Sequence, residues 1–180
     1  MSNPFVTSYA LMCIGMAYSS RDPLRALDAL RRGLTITQET GNRTNESYIA
    51  MTLALTLNRI DGDESDHVSL LDYISSAIAN YHDSSNITQL RAALGLFATF
   101  LDRRGDAEAA ATVAGFAGVM PTAAPTVPEF GDTISHLGDT LGAKTYESFS
   151  RDGAAMTMAA MVSYAYEQID RVRHELEQLP

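Results

Sequence analysis

The chain has 180 residues, of which 46% are hydrophobic, and a formal net charge of −9. That length and apolar content suffice for one substantial core and exclude wholesale disorder, while the acidic balance argues against nonspecific nucleic-acid binding, which needs a basic surface. No apolar run approaches the roughly 20 residues of a membrane span, the start MSNPF lacks the pattern of a secretory signal, and Cys13 alone cannot form an internal disulfide, so a cytoplasmic protein is expected.

Residues Phe5 to Ser20 place Phe5, Tyr9, Met12, Cys13 and Met16 at helical spacing, which predicts a first helix with those side chains inward and Cys13 as a small buried hydrophobe rather than a nucleophile. Asp22 followed by Pro23 supplies a cap and a first-turn proline for a second helix. Its stripe is Leu24, Leu27, Leu30 and Leu34, with Arg21, Arg25, Arg31 and Arg32 on the other sides, either solvated or open to an anion, until Gly41 stops it. A third helix is expected over Glu46 to Arg59. Ile49, Leu53, Leu57 and Ile60 form its stripe, and Met51 and Leu55 make its other sides apolar, the pattern of a helix sandwiched between neighbours.

The acidic segment 61–72 carries the nearest approach to a metal motif. Asp61, Asp63, Ser65, Ser69 and Asp72 stand at the first, third, fifth, ninth and twelfth positions of an EF-hand-like loop. The sharp-turn glycine is replaced by Asp66, however, and the closing glutamate by the shorter Asp72, so the favoured reading is a polar turn in which Ser65 or Asp66 caps the next helix. That fourth helix, with Val68, Leu71, Ile74, Ile78 and Tyr81, runs to about His82.

The segment Asn86 to Gly118 reads as a helical hairpin. Asn86 caps a helix with Ile87, Leu90, Ala93, Leu94, Phe97 and Leu101 on one side; Gly105 interrupts it; Asp106 is the expected cap of a second helix whose Ala107, Ala110, Ala111, Ala114 and Ala117 allow close approach. Three prolines between Met120 and Pro128 predict an extended connection. Phe130, Ile134, Leu137 and Leu141 then mark a short helix, and Tyr146 and Phe149 another. Thr157 caps a long last helix whose stripe is Met161, Ala165, Ile169, Val172, Leu176 and Leu179, suited to sealing the end of the fold or to pairing with a second chain.

Turn signals at Asp22, Gly62 and Gly105 recur at intervals typical of two-helix repeats, and hairpins that cannot bury their own apolar faces stack. The expected fold is all-α, a TPR-like α-solenoid in one domain over 1–180. Its hairpins cover about 5–41, 45–82 and 86–118, followed by a proline-rich connection over 119–128 and a C-terminal helical piece over 129–180.

Three blocks carry a resemblance: DPLRALDALRRGLTITQETGNRTNES, ITQLRAALGLFATFLDRRGDAEAAATVAGFAG and LGAKTYESFSRDGAAMTMAAMVSYA. Together they resemble the C-terminal helical-repeat region of bacterial STAND-type signal-transduction ATPases, the large LuxR-type and adenylate-cyclase-fused transcriptional regulators common in actinobacteria. The sequence contains no G-x-x-x-x-G-K-[ST] phosphate loop and no identifiable helix-turn-helix, so the resemblance implies a sensor or arm module rather than ATPase or DNA-binding activity.

The residues give no catalytic constellation. His67, His82, His136 and His174 are dispersed, no cysteine cluster exists, and no serine lies in G-x-S-x-G, so neither enzyme activity nor a cofactor or metal is expected. The leading expectation is a signalling scaffold that binds a protein partner on the first helices of its hairpins, with Tyr9, Asn45, Tyr48, Thr52, Gln89 and Arg91 as candidate contacts. The alternative is an effector sensor with an apolar pocket among Met12, Met16, Met51, Phe97 and Phe100, because methionines repack around varied ligands. Pairing of two chains through the last helix is a third possibility; direct nucleic-acid or membrane binding is not expected.

Overall fold

A computed structural model describes residues 3–60, 64–120 and 123–178. Among these the chain is helical, with no strand. It divides into two compact units, 1–80 and 81–180. The division falls in the last turn of the fourth helix, where the sequence reading places the whole chain in one domain.

The first unit holds α1 (Pro4–Tyr18), α2 (Pro23–Thr40), α3 (Arg43–Arg59) and most of α4 (Glu64–Asp83). Local chemistry sets the boundaries. Asn3 accepts from the Phe5 amide at 3.0 Å, and Asp22 from the Arg25 amide at 3.1 Å ahead of Pro23. Gly41 closes α2 in the left-handed conformation, at φ 67. Asn42 caps α3 through the Asn45 amide at 3.3 Å, so that helix begins three residues before the predicted Glu46. α1 packs on α2 and α3, and α2 packs on α3. Ile49, Met51, Leu53 and Leu57 are all buried, as expected of a sandwiched helix. The calcium-like positions Asp61 and Asp63 lie outside the described residues, and α4 begins at Glu64, so Ser65 and Asp66, the expected caps, stand inside its first turn instead.

Of the stripe expected for α1 only Met12 is buried. Its buried residues are Ser8, Leu11, Met12 and Gly15, whereas Phe5, Tyr9, Cys13 and Met16 are exposed. The cause is the α1–α2 crossing: a Cβ at Gly15 would fall on the Leu30 side chain, so the helices meet at the narrowest part of α1 and turn its larger residues outward. Cys13 is correspondingly exposed rather than the expected core residue. Leu24, predicted as the first residue of the α2 stripe, is also exposed, and α2 buries Ala26, Leu27, Ala29, Leu30 and Gly33. The four arginines lie on its outer side as predicted.

The second unit contains α5 (Ile87–Arg103), α6 (Ala107–Gly118), α7 (Ala123–Thr126), α8 (Phe130–Leu141), α9 (Ala143–Ala155) and α10 (Met158–Glu177). α5 is its centre: every residue from Ala92 to Asp102 is buried, and α6, α7 and α8 pack around it. Asn86 and Thr157 cap α5 and α10 as predicted, through the Gln89 amide at 3.3 Å and the Ala160 amide at 3.2 Å. α6 packs on α8, α9 and α10 as well as on α5. α6 and α9 cross closely through one glycine from each: a Cβ at Gly115 would fall on the Ser150 backbone and one at Gly153 on the Thr112 carbonyl oxygen.

The proline-rich connection is not wholly extended, because α7 is a single helical turn. Pro125 fits there since first-turn amides have no intrahelical acceptor, and Ala123 and Val127 are buried. The stripe of α10 is buried from Met161 to Leu176; Leu179 lies outside the described residues.

Candidate interaction surface and cleft

The surface that stands out is α1. No Asp, Glu, Lys or Arg occurs before Arg21. At about 100° per residue, Phe5, Met16, Tyr9, Cys13, Val6, Ala17, Ala10 and Ile14 fall in that order around a continuous half of the helix. All eight are exposed, with Phe5 at 57%, Tyr9 at 50% and Met16 at 58%. A helix apolar on every side is ordinarily enclosed on every side. Here one half packs on α2 and α3, and the other half is open apolar surface.

The candidate partner contacts separate on this fold. Tyr9 and Tyr48 are exposed, on α1 and α3. Thr52 is half-buried, and its hydroxyl donates to the Tyr48 carbonyl at 2.8 Å. Asn45 is buried and donates from Nδ2 to Ser8 Oγ at 3.4 Å, joining α3 to α1. In the second unit Gln89 is half-buried, and Arg91 lies over the Phe116 ring at 4.3 Å and donates from Nη1 to the Phe116 carbonyl. Burial lowers the Arg91 pKa. Arg91 therefore fastens α5 to α6.

The five candidate pocket residues are likewise divided. Met12, Met16 and Met51 belong to the first unit, Phe97 and Phe100 to the second. Met16 is exposed and the other four are buried.

A cleft of about 570 Å³ lies elsewhere, in the second unit, among α6, α9, α10 and the turn before α6. Its wall includes Asp106, Glu108, Thr112, Phe149, Tyr164, Gln168 and Arg171. Asp106 makes no cap hydrogen bond to α6, although it occupies the predicted cap position. Its carboxylate instead faces Arg171 Nη2 at 3.1 Å and Arg104 Nε at 3.7 Å. Glu175 completes a ring of alternating charge, 2.6 Å from Arg171 Nη1 and 3.1 Å from Arg104 Nη2. Burial alone would raise the Glu175 pKa and lower that of Arg171. Their mutual hydrogen bond and charge, with Arg104 beside Glu175 and Asp106 beside Arg171, outweigh it and hold Glu175 below and Arg171 above their usual values. The ring ties α10 to the α5–α6 turn.

One further polar cluster joins α5 to α8. His136 Nδ1 donates to the buried Asp102 at 2.9 and 3.0 Å, and His136 Nε2 lies 3.4 Å from the Thr140 hydroxyl. The order carboxylate, imidazole, hydroxyl has the form of a nucleophile-activating set. Yet the His136 side chain is 63% exposed, and none of the three residues is in the wall of the cleft. Nearby, Thr133 donates to Thr99 at 3.2 Å across the same helix pair, which suits both clusters to anchoring α8. Among the described residues no group of three or more His, Cys, Asp or Glu could hold a metal ion, and no helix is long and apolar enough to cross a membrane.

Sequence reasoning missed the open half of α1 and the arginine–carboxylate ring. For α1 the signal is the uncharged stretch before Arg21. The ring has none, because Arg104 and Glu175 are 71 residues apart.

Comparison with protein-family models, with curated proteins and with solved structures finds no match. The class defined by the fold is an all-helical protein in which neighbouring helices pack on one another.

Proposed function

We propose that this chain is a non-catalytic interaction module of a bacterial signalling or transcription-regulatory system, a TPR-like helical-repeat scaffold that binds a protein partner through the outer side of its first helix. The observation that carries the reading is the open half of α1, apolar and free of formal charge, on a helix whose other half is packed. The repeat reading draws on contacts inside each unit. α1 touches α3, the first helix of the next pair, and α5 touches α8 while α6 touches both α8 and α9, the neighbour relations of successive hairpins. The resemblance to the repeat region of STAND-type regulators supplies the signalling context.

Co-expression with the product of a neighbouring regulator gene tests this. Stoichiometric copurification that Tyr9→Glu abolishes supports it, and copurification unchanged by Tyr9→Glu overturns α1 as the contact surface. A second reading, a sensor for a small effector, is favoured by the cleft of about 570 Å³ in the second unit, a volume in the range of ligand pockets. A thermal shift with metabolites that Tyr164→Ala removes would support that alternative.

A further inference from the structure

We infer that the open half of α1 is covered by the same half of α1 from a second copy of this chain, in a two-fold symmetric dimer. This rests on α1 being an interaction surface and names its occupant. Three observations favour a second copy.

The first is charge. A two-fold interface presents the same patch from both sides, so any charged residue near the axis would face its own like charge. α1 itself has none; the Arg25 guanidinium stacks on the Tyr18 ring at 3.9 Å, at the C-terminal end of the helix and outside the eight residues of the open half.

The second is shape. Phe5, Met16 and Tyr9 form a ridge along one side of the open half, and the small residues Ala10, Cys13 and Ala17 form a shallow groove beside it. Each copy thus carries both the ridge and the groove needed to interlock with another, with small residues where two helix axes approach most closely.

The third is area. The exposed area of Phe5, Val6, Tyr9, Ile14 and Met16 is roughly 500 Å² per copy, to which the exposed Ala10, Cys13 and Ala17 add. That places it in the upper part of the roughly 300–600 Å² found for the largest apolar patch on a typical monomer. It falls below the roughly 800 Å² per partner of a standard interface and suits a small one that forms at micromolar concentration. The stripe of α10, the other helix suited to pairing by its sequence, is buried in its own chain.

Sedimentation equilibrium of the full chain from about 1 to 100 µM, with and without Ala10→Glu or Met16→Glu, tests the inference. The expected result is a dimer for the unaltered chain and a monomer for each variant, with unchanged far-UV circular dichroism, since both positions are exposed. A dimer that survives both substitutions overturns the inference, because the contact then lies elsewhere. A monomer at the highest concentration also overturns it, and binding of an apolar fluorescent dye then separates the two levels of the argument. Dye bound by the monomer and lost in Met16→Glu leaves α1 open to a different protein, whereas no dye binding removes α1 as an interaction surface altogether.

Discussion

α1 and α5 begin hairpins in different units, and both are apolar on nearly every side, yet they meet opposite fates. α5 is enclosed from Ala92 to Asp102, while α1 buries only Ser8, Leu11, Met12 and Gly15. The difference lies in the neighbours. Among the described residues α5 has α6, α7 and α8 around it, whereas α1 packs on α2 and α3 along its buried half, with Gly15 drawing α2 against its narrow edge. An apolar residue at helical spacing is therefore core only where another element reaches it, and the residues left over on α1 form a surface.

Paired truncations give the largest contrast. Phe97 is fully buried and Phe5 is 57% exposed, so in urea unfolding of the dilute, monomeric chain Phe97→Ala should cost about 3–5 kcal/mol and Phe5→Ala under about 0.5 kcal/mol. Equal losses would erase the distinction between the two helices. Glycine crossings sharpen it next. Gly153→Ala places a methyl group against backbone and should cost about 3 kcal/mol, read as a lowered melting temperature; Gly15→Ala meets the buried Leu30 side chain, which gives way more readily than backbone, and should cost about 2 kcal/mol.

The smallest effect belongs to the arginine–carboxylate ring. Glu175 has its pKa held down in the folded chain, so its stabilisation is present above the unfolded-state value of about 4.3 and disappears as pH falls through the lower folded value. The melting temperature of Glu175→Gln should thus lie below that of the unaltered chain at neutral pH, with the gap closing below about pH 4. A gap that widens in acid would reverse the assigned sign.

Most helix boundaries were legible because they are local. Asp22 with Pro23, Asn86 and Thr157 act within three residues of themselves, and the caps at all three stand where the sequence places them. Asp106 shows the limit of such reasoning: its position fits a cap, but arginines two residues before and 65 residues after it claim the carboxylate. The inward face of α1 was hidden for a related reason. Ranking residues by size favours Phe5, Tyr9 and Met16, whereas the crossing is decided by where two backbones can come close. Among the partner and pocket candidates, Tyr9 and Met16 fall on the open surface. Asn45 and Arg91 are held by Ser8 and Phe116, contacts between helices that no spacing rule reveals.

Alkylation of the folded chain tests most directly whether the outer half of α1 is left uncovered by its own chain. Cys13 is the single cysteine and lies within that half. In dilute solution its reaction with a maleimide should run at nearly the rate of the denatured chain, slowing as protein concentration rises and a second copy covers it. A thiol that reacts as slowly as a core residue at every concentration would contradict the account.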